Sequence, residues 1–445
     1  MNKVKSVKIN THLSNNLDLE LISEEYDEKK PFYTVITGRN GSYKSTVLKE
    51  IAGYAMLGEN ELSDSQSVDF HIEDLSRFKV IAHSGATIDR YPLKKNNGKS
   101  VSNFNHYTYL GQKAGTNIVS RRQPYETMLS EALTEEKTTR IHSSHFNKCF
   151  QRLNLYPGIK FTLILMPLKS RLFEYSSLYE WVYAASQNSG NEHRRSRLVD
   201  SELAKYLLYN FTKDDFNELQ NIRGQRKIID FSEEGIYNLK SGDKKIIRLG
   251  LMLDVLKVQH AEIYSLYTKE GFSLYDLSTG EFNNLTSILG ILFAVEKHSI
   301  VLVDEPEVSL HPQWQVEFIE IISDIFKDYE VSHVIISTHS PMIVSSVAEN
   351  SLIIDLGRDG EYSEEKNSLY GASTDEILIN HFGLATGRNF FVMDTLQKAV
   401  NLIEEGKENT SEFKELISEL GKIQSLLSHN DPMIEVIKTV INYAD

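Results

Sequence analysis

Residues 36–46, with the sequence ITGRNGSYKST, place glycines, a lysine and hydroxyl side chains at the spacing of a phosphate-binding loop. Such a loop (P-loop) follows the pattern G-x-x-x-x-G-K-[ST] between a strand and a helix. Its backbone N–H groups and the helix N-terminus attract a negatively charged phosphate. Lys44 would reach the β- and γ-phosphates of a nucleotide, and the Ser45 hydroxyl would help to hold Mg2+. We therefore predict a nucleotide site formed by Gly38, Asn40, Gly41, Ser42, Tyr43, Lys44, Ser45 and Thr46.

One position departs from this pattern, because Tyr43 stands where glycine is expected. The residue before the lysine commonly has a positive φ, which costs a non-glycine residue roughly 1–2 kcal/mol. If that penalty arises only on binding, it weakens affinity about 5- to 30-fold. If the folded loop already bears the penalty, affinity need not fall. Since Lys44, Ser45 and Thr46 are intact, we predict that nucleotide binding survives and that hydrolysis is slow.

Two acids and a histidine follow buried apolar runs further along the chain. Asp304 and Glu305 follow the run 299–303, and His339 follows the run 331–337. Asp304 could hold the water shell of Mg2+, and Glu305 could polarise an attacking water. His339 could sense the γ-phosphate. A solvated strand end for the acids and an ordinary buried histidine are the alternatives, and Pro306 and the apolar run argue against the first.

The elements that must position these residues predict an α/β fold. Strands are predicted at 4–9, 17–22, 32–36, 78–82, 299–303, 331–337 and 351–356. A helix follows the P-loop to about residue 57, and Ser278 and Gly280 begin another. Strands that alternate with helices and end in polar residues indicate a doubly wound domain, in which ligands sit at the carboxyl ends of the strands.

The chain divides into four predicted segments. Residues 1–120 form the first part of a nucleotide-binding head, with antiparallel N-terminal strands, and residues 260–390 form its second part. Residues 121–259 are predicted to be a mostly helical insertion with a core of its own, including a helix over 246–258. Residues 391–445 are predicted as a helical tail, with helices at 391–405, 411–427 and 432–443.

The overall charge limits the partners. The chain has 48 basic and 62 acidic residues, a formal charge of −14, which argues against a surface devoted to nucleic acid. A local basic patch is still compatible with that charge. We favour a solvated helix surface over phosphate-backbone contact through the insertion for the basic residues Arg121, Arg122, Arg194, Arg195, Arg197, Arg223, Arg226 and Lys227.

Cysteine usage and hydropathy indicate a cytoplasmic protein. The single cysteine, Cys149, excludes an intramolecular disulfide and a cysteine zinc site, and we interpret it as a core residue. The N-terminus lacks the apolar segment of a signal peptide. No uncharged apolar run approaches the ~20 residues that a membrane span needs. We therefore expect no membrane partner.

Taken in this order, the motifs resemble the nucleotide-binding head of ABC-type ATPases, a P-loop NTPase fold. Residues 277–281 (LSTGE) resemble the LSGGQ signature, 301–305 resemble Walker B, His339 resembles the switch histidine, and Gln112 could be the Q-loop glutamine. A rival signature at 241–243 is set aside, since only 277–281 leads through a helix into Walker B. The runs 304–312 (DEPEVSLHP) and 337–341 (STHSP) are similar to the SMC-like and OLD-like branch, and to the PtuA-like ATPases of Septu and retron phage-defence systems.

The resemblance implies ATP and Mg2+ as cofactors and head-to-head homodimers in which each signature completes the partner's site. It assigns catalysis to Glu305 and His339, phosphate contacts to Ser278 and Gly280, and a nucleotide and metal contact to Gln112. Ser45 and Asp304 would be the other metal ligands.

The expected function is an ATPase, with slow turnover, that regulates a partner nuclease in phage defence. No nuclease centre is visible in the chain, and the resemblance implies an HNH-type endonuclease as partner. An SMC- or RecF-like ATPase acting on DNA directly is an alternative, although residues 121–259 lack sustained heptads. A non-hydrolysing, ATP-sensing scaffold is another. A transporter motor is disfavoured by the long interval between Lys44 and Asp304.

Overall fold

The fold is described from a computed structural model of the chain. The structure describes residues 2–9, 17–23, 26–27, 29–57, 67–71, 79–87, 89–96, 99–101, 103–104, 106–115, 118–134, 143–165, 174–187, 201–222, 225–233, 235–236, 238–253, 255–347, 350–356, 362–366, 371–372, 374–380, 390–427 and 431–443.

The elements follow one another in three stretches of the chain. The first stretch comprises β1 (Lys3–Ile9), β2 (Leu17–Glu20), β3 (Phe32–Gly38), α1 (Lys44–Leu57), β4 (Ser67–His71), β5 (Val80–Ser84), β6 (Lys94–Asn96), β7 (Lys99–Val101), β8 (Asn103–Phe104), β9 (Tyr107–Tyr109), β10 (Lys113–Gly115) and β11 (Ile118–Val119). The second comprises α2 (Gln123–Ala132), α3 (Ser143–Gln151), β12 (Leu155–Leu165), α4 (Leu178–Gln187), α5 (Ser201–Asn210), α6 (Lys213–Asn221), β13 (Arg226–Ser232), β14 (Gly235–Ile236), α7 (Ser241–Met252), β15 (Leu256–Ser265) and β16 (Gly271–Ser273). The third comprises α8 (Thr279–Ala294), β17 (Ile300–Asp304), α9 (Pro312–Asp328), β18 (His333–Ser337), α10 (Pro341–Ser346), β19 (Ser351–Leu356), β20 (Tyr362–Lys366), α11 (Thr374–Asn380), α12 (Phe390–Glu404), α13 (Ser411–Leu426) and α14 (Met433–Ile441).

A central sheet carries the residues of interest. Within the described ranges it has eight strands in the order β20-β19-β3-β18-β17-β5-β9-β8. The strands from β19 to β9 are parallel, while the edge strands β20 and β8 are antiparallel to their neighbours. Every residue of β3, β17 and β18 is buried, which explains their continuous apolar runs.

The two faces of this sheet pack into different cores. Val301 and Val303 of β17 face a large core shared with α8 and α9. Ile300 and Leu302 face a second core that includes α1 and strands β1 and β2. The alternation follows from the two-residue period of a strand. The central sheet is therefore covered on both sides, as predicted for an α/β domain.

The N-terminal strands form a separate antiparallel sheet in the order β2-β1-β4. Buried His333 joins it to the central sheet. Its Nδ1 accepts the Val4 N–H (3.3 Å), and its Nε2 lies 2.8 Å from the Thr34 hydroxyl, which donates to the Leu21 carbonyl. Because the Thr34 proton is used there, Nε2 carries the proton of a neutral ring. Burial lowers the pKa of His333 to about 3.

The insertion differs from the prediction in one main respect. Helices make up most of the described part of 121–259, as expected, but an antiparallel sheet in the order β14-β13-β12-β15-β16 runs through it. Strand β15 crosses the boundary placed at 259/260. The helix predicted over 246–258 is wrong at its end, since α7 stops at Met252 and residues from Leu256 are strand.

The expectation of a separate core in the insertion is also wrong. Phe161 and Phe231 of its sheet belong to the same buried cluster as Phe293 of α8 and Val303 of β17. Phe231 meets Phe293 edge-on with ring centroids 5.3 Å apart. Helix α8 is apolar around most of its circumference, and it therefore packs against the insertion as well as the central sheet.

The tail has a core that is distinct from the other two. The three predicted helices are present within two residues of their expected ends, as α12, α13 and α14. Their buried residues form one cluster: Ile379, Val392, Leu396, Ala399, Phe413, Leu420, Ile423, Leu427, Ile437 and Val440. Helix α11 contributes Ile379 to this cluster but Ile377 to the large core. None of the described helices combines the length and apolarity that crossing a bilayer requires.

Candidate nucleotide-binding site

The P-loop connects β3 to α1, and its shape depends on three left-handed residues. Gly38 has a φ of 136° and Gly41 a φ of 86°. A Cβ on Gly38 would lie 2.5 Å from the Leu356 carbonyl oxygen, so glycine is required there. The Ser42 N–H closes the turn by donating to the Arg39 carbonyl at 3.2 Å. The buried Ser42 hydroxyl has no hydrogen-bond partner within the described chain, which leaves a donor for an anion.

Tyr43 is the third left-handed residue, with a φ of 70°, as predicted for this position. Its carbonyl accepts the N–H groups of Thr46 (2.9 Å) and Val47 (3.0 Å), and it thereby starts α1. Its ring packs partly buried against the core beneath α1. The folded loop therefore already holds the backbone geometry that the tyrosine makes costly.

The ammonium group of Lys44 lies over the loop. Nζ donates to the carbonyls of Gly38 (2.9 Å) and Arg39 (3.1 Å). Burial lowers the pKa of Lys44, and the carboxylates of Glu305 and Asp304 act in the opposite direction. Lys44 is thus a buried cation between the loop and the acids that end β17.

Asp304 connects β17 to β18 and to α1 at the carboxyl edge of the sheet. The register pairs Asp304 with Ser337, and Ser337 with Ile36 of the P-loop strand. Its Oδ1 accepts the hydroxyl of Ser45 at 3.0 Å and also that of Ser337. Burial raises the pKa of Asp304 to about 6, although both hydroxyl hydrogen bonds lower it. The hydroxyl and carboxylate oxygens brought together here are ligands that suit Mg2+.

Glu305 and His339 face each other beside this group. Glu305 Oε1 lies 3.9 Å from His339 Nε2, and both side chains are half-buried. Burial lowers the pKa of His339, nearby Lys44 lowers it further, and Glu305 raises it. Glu305 has a φ of 47°, and its N–H donates to the Ser337 carbonyl at 2.9 Å. A positive φ at a non-glycine residue of this kind is common at functional sites.

The residues of the signature and the Q-loop make a different set of contacts. Ser278 caps α8, accepting the Glu281 N–H at 3.3 Å, so the predicted helix start is confirmed. A Cβ on Gly280 would lie 2.6 Å from the Ser309 carbonyl. The Gln112 amide donates to Asn283 of α8 at 2.9 Å, whereas the prediction placed it at the metal. The structure thus gathers the P-loop, Asp304, Glu305 and His339, and it ties Gln112 to the signature helix.

Four residues at the site were not singled out from the sequence. They are Asp89, Glu307, Gln315 and Ser337. Asp89 accepts the Tyr109 hydroxyl and raises the pKa of Asp304 through its charge. The position of Ser337 at a strand end beside Asp304 could have indicated its role. The others act through tertiary contacts that carry no local sequence pattern.

The remaining candidates are either packed or exposed where the structure describes them. The Arg121 guanidinium lies 4.4 Å from the centre of the Phe282 ring, and Arg226 is exposed. Arg194, Arg195, Arg197 and Arg223 lie outside the described residues. Cys149 is buried, and burial raises the pKa of its thiol to about 12, so its interpretation as a core residue is confirmed.

The fold and site together define the class of protein. A P-loop at the end of β3, two acids at the end of β17 and a histidine after the intervening strand give the chain a P-loop NTPase fold of the ABC-ATPase head type. A family model described as "AAA domain, putative AbiEii toxin, Type IV TA system" matches residues 179–345.

The chain is similar to a probable ATPase of a retron system and to a Septu protein. It is 22% identical to the "Retron Ec83 probable ATPase" of Escherichia coli, a match that covers 84% of this chain and 76% of the relative. It is 25% identical to the "Septu protein PtuA" of Bacillus thuringiensis over 41% of this chain and 47% of that protein. Among solved structures, a nucleotide-free ATP-binding cassette from an ABC transporter is 12% identical, covering 83% of this chain and 92% of the cassette with a TM-score of 0.32.

Proposed function

We propose that the protein binds ATP with Mg2+, dimerises around it and hydrolyses it slowly, and that it regulates a partner nuclease in phage defence. The observation that carries the proposal is the 3.0 Å contact between Ser45 Oγ and Asp304 Oδ1. This contact joins the P-loop to the acidic end of β17. It also brings together the two groups that would hold the metal.

The described residues fit ATP with Mg2+. The unpartnered Ser42 hydroxyl and the buried Lys44 ammonium are donors for phosphate oxygens. Mg2+ held by Ser45 and Asp304 would neutralise charge on those oxygens. Glu305 would orient the attacking water, and His339, 3.9 Å from it, would contact the γ-phosphate.

Dimerisation is proposed from the position of the signature. Ser278 and Thr279 are exposed at the start of α8, where backbone N–H groups can bind phosphate. The contacts found for Ser278 and Gly280 are to Glu281, Ser309 and Trp314 rather than to the P-loop. A second copy would therefore supply the phosphate that this helix binds.

The nuclease partner and the role in defence are proposed from the relatives. The chain covers most of a retron ATPase and about half of a Septu protein. The resemblance to PtuA-like ATPases implies an HNH-type nuclease as the regulated subunit. Pull-down from a strain that expresses the neighbouring genes would test this, and a partner without a nuclease motif would contradict it.

Substitution of Glu305 tests hydrolysis. We expect Glu305→Gln to lower phosphate release about 100-fold or more, because a positioned general base contributes roughly 10²–10⁴-fold. Binding of a fluorescent ATP analogue should persist. The control is Glu415→Gln, which changes an exposed glutamate on α13. Equal phosphate release by wild type and Glu305→Gln would remove the catalytic assignment, and the absence of hydrolysis in wild type would favour a scaffold.

The mass in solution tests dimerisation. We expect Glu305→Gln with ATP and Mg2+ to double its mass by light scattering, because blocked hydrolysis preserves the bound nucleotide. Ser278→Arg in that background should restore the monomer, since it obstructs the phosphate contact at α8. Ser411→Arg, at the exposed start of α13, is the matched control. A mass that does not respond to ATP would contradict the proposal.

A further inference from the structure

The loop that carries His339 is fixed by the segment that follows β17. We call residues 338–340 the switch loop and residues 305–310 the acidic turn. Glu307 of the acidic turn accepts the backbone N–H of His339 at 2.6 Å through Oε1. A carboxylate acceptor makes a shorter and stronger hydrogen bond than a neutral one. Glu307 is partly buried, and so is this hydrogen bond.

Gln315 of α9 makes a second connection between the same two segments. Its Nε2 donates to the Leu310 carbonyl at 3.0 Å, and its Oε1 accepts the Ser340 hydroxyl at 2.5 Å. Ser340 in turn caps α10, since its Oγ accepts the N–H groups of Met342 and Ile343. The Gln315 amide therefore bonds to the acidic turn through its nitrogen and to the switch loop through its oxygen.

The acidic turn also determines where Glu305 lies. Val308 N–H donates to the Glu305 carbonyl (3.1 Å), and Leu310 N–H donates to the Glu307 carbonyl (3.0 Å). Glu305 and Ser309 both have positive φ, at 47° and 66°. Such residues persist only where surrounding contacts determine them. One short turn thus holds Glu305 directly and His339 through Glu307 and Gln315.

We propose that Glu307 and Gln315 are positioning residues that set the separation of the Glu305 carboxylate and the His339 imidazole. The inference rests on the proposed function, because it concerns how that site hydrolyses ATP. The hydrogen bonds that connect them to the two segments go to the His339 N–H, the Leu310 carbonyl and the Ser340 hydroxyl, not to the Glu305 carboxylate or the His339 imidazole. Each acts by holding the switch loop at the acidic turn, and a 1 Å misplacement can cost about 100-fold in rate.

The first test compares Glu307→Ala with Glu307→Gln. We expect Glu307→Ala to lower kcat about 10- to 100-fold while the affinity for a fluorescent ATP analogue stays within about threefold. Glu307→Gln keeps an acceptor oxygen for the His339 N–H and should recover most of that loss. Wild-type ATP hydrolysis by Glu307→Ala, which has no acceptor for the His339 N–H, would overturn the proposal.

A double-mutant cycle separates positioning from a general structural role. In His339→Ala the backbone N–H remains, so the bond to Glu307 survives although the imidazole is gone. We expect Glu307→Ala to cost less than about twofold in that background, because residues that act through one another are non-additive. An equal loss in both backgrounds would mean that Glu307 only supports the fold.

Gln315→Leu provides the same test if Glu307→Ala does not fold. We expect it to lower kcat in the wild type and to leave kcat unchanged in the His339→Ala background. The control is Gln313→Leu on the same helix, whose exposed amide donates to Glu317 at 3.0 Å. Thermal unfolding monitors folding of every variant. Absence of ATP binding by the wild type would refute the proposed function, whereas normal wild-type hydrolysis with unaffected variants would refute only this inference.

Discussion

At the scale of single residues, Tyr43 is the position where sequence and structure together are most informative. The sequence identified it as a departure from the P-loop pattern, and the structure gives it a φ of 70°. Its carbonyl starts α1, and its ring packs against the core beneath that helix. The cost of the left-handed backbone is therefore part of the folded state. Nucleotide affinity does not have to bear it.

Tyr43→Gly and Tyr43→Val test whether the folded loop bears the backbone cost or whether the cost arises only when nucleotide binds. We expect Tyr43→Gly to change the Kd of a fluorescent ATP analogue by less than about threefold, since the loop geometry is already present. Tyr43→Val should weaken binding strongly, because β-branched residues are true outliers at positive φ. Phosphate release should be faster in Tyr43→Gly, since the loop loses the restraint of the packed ring. Turnover equal to wild type would show that the tyrosine is merely tolerated.

At the scale of elements, the site depends on how closely parallel strands approach at their carboxyl ends. Gly85, just after β5, donates its N–H to the Asp304 carbonyl at 2.9 Å. A Cβ on Gly85 would lie 2.2 Å from the backbone oxygen of Glu305. The end of β5 therefore supports the backbone of the acidic turn. No side chain larger than hydrogen fits there.

Gly85→Ala tests this close approach. We expect it to destabilise the protein by roughly 1–3 kcal/mol, the usual cost of overpacking, and to reduce phosphate release by displacing Glu305. Gly53→Ala in α1 is the control, because nothing lies within 4 Å of its added Cβ. That variant should be as stable as wild type or up to about 1 kcal/mol more stable. Stability is measured by urea unfolding. A Gly85→Ala protein as stable and as active as the wild type would contradict the interpretation.

The elements that the sequence predicted correctly share one property, which is a strong local signal. The buried strands β3, β17 and β18 are continuous apolar runs, and the tail helices have clear helical periodicity. Strands β12 and β13 were missed because their outward positions carry Tyr156, Lys160 and Arg226, which weaken the apolar run. The P-loop, Asp304, Glu305 and His339 were identified because each follows a strand. Contacts such as Glu307 to His339 depend on tertiary approach and have no such signal.

At the scale of the whole molecule, buried neutral histidines connect the layers. His333 links the N-terminal sheet to the central sheet, and His83 of β5 lies 2.6 Å from the Ser287 hydroxyl of α8. Burial lowers the pKa of His83 to about 4 and that of His333 to about 3. Both rings are therefore neutral in the folded protein throughout the physiological pH range.

These histidines make stability depend on pH. The unfolded chain takes up protons below its histidine pKa of about 6.5, and the folded protein does not. The two neutral rings therefore contribute their full stabilisation of the fold above a pH of about 6.5. As the pH falls, each ring loses about 1.4 kcal/mol of this stabilisation per pH unit, until about pH 4 for His83 and about pH 3 for His333. Asp304, whose pKa is raised to about 6, acts in the opposite sense and loses its contribution as pH rises through 6.

Urea unfolding between pH 7.5 and pH 5 measures this dependence. We expect His333→Gln to be less stable at pH 7.5 but to lose about 1.4 kcal/mol less per pH unit as the pH falls, because one proton is no longer taken up on unfolding. His311→Gln is the control, since that side chain is exposed and caps α9. If the unfolding free energy of His333→Gln changed with pH as it does in the wild type, the His333 ring would already be protonated in the folded state.

The separate core of α12, α13 and α14 has a consequence for how the protein responds to heat. Two buried clusters connected through α11 need not melt together, and a chain that melts in parts does not have a single Tm. Helical content, to which the tail and the rest of the chain both contribute, and nucleotide binding, sensitive only to the head, would then report different midpoints. Calorimetry of the full chain would show two overlapping transitions, and only the one belonging to the head would move upward when ATP is added.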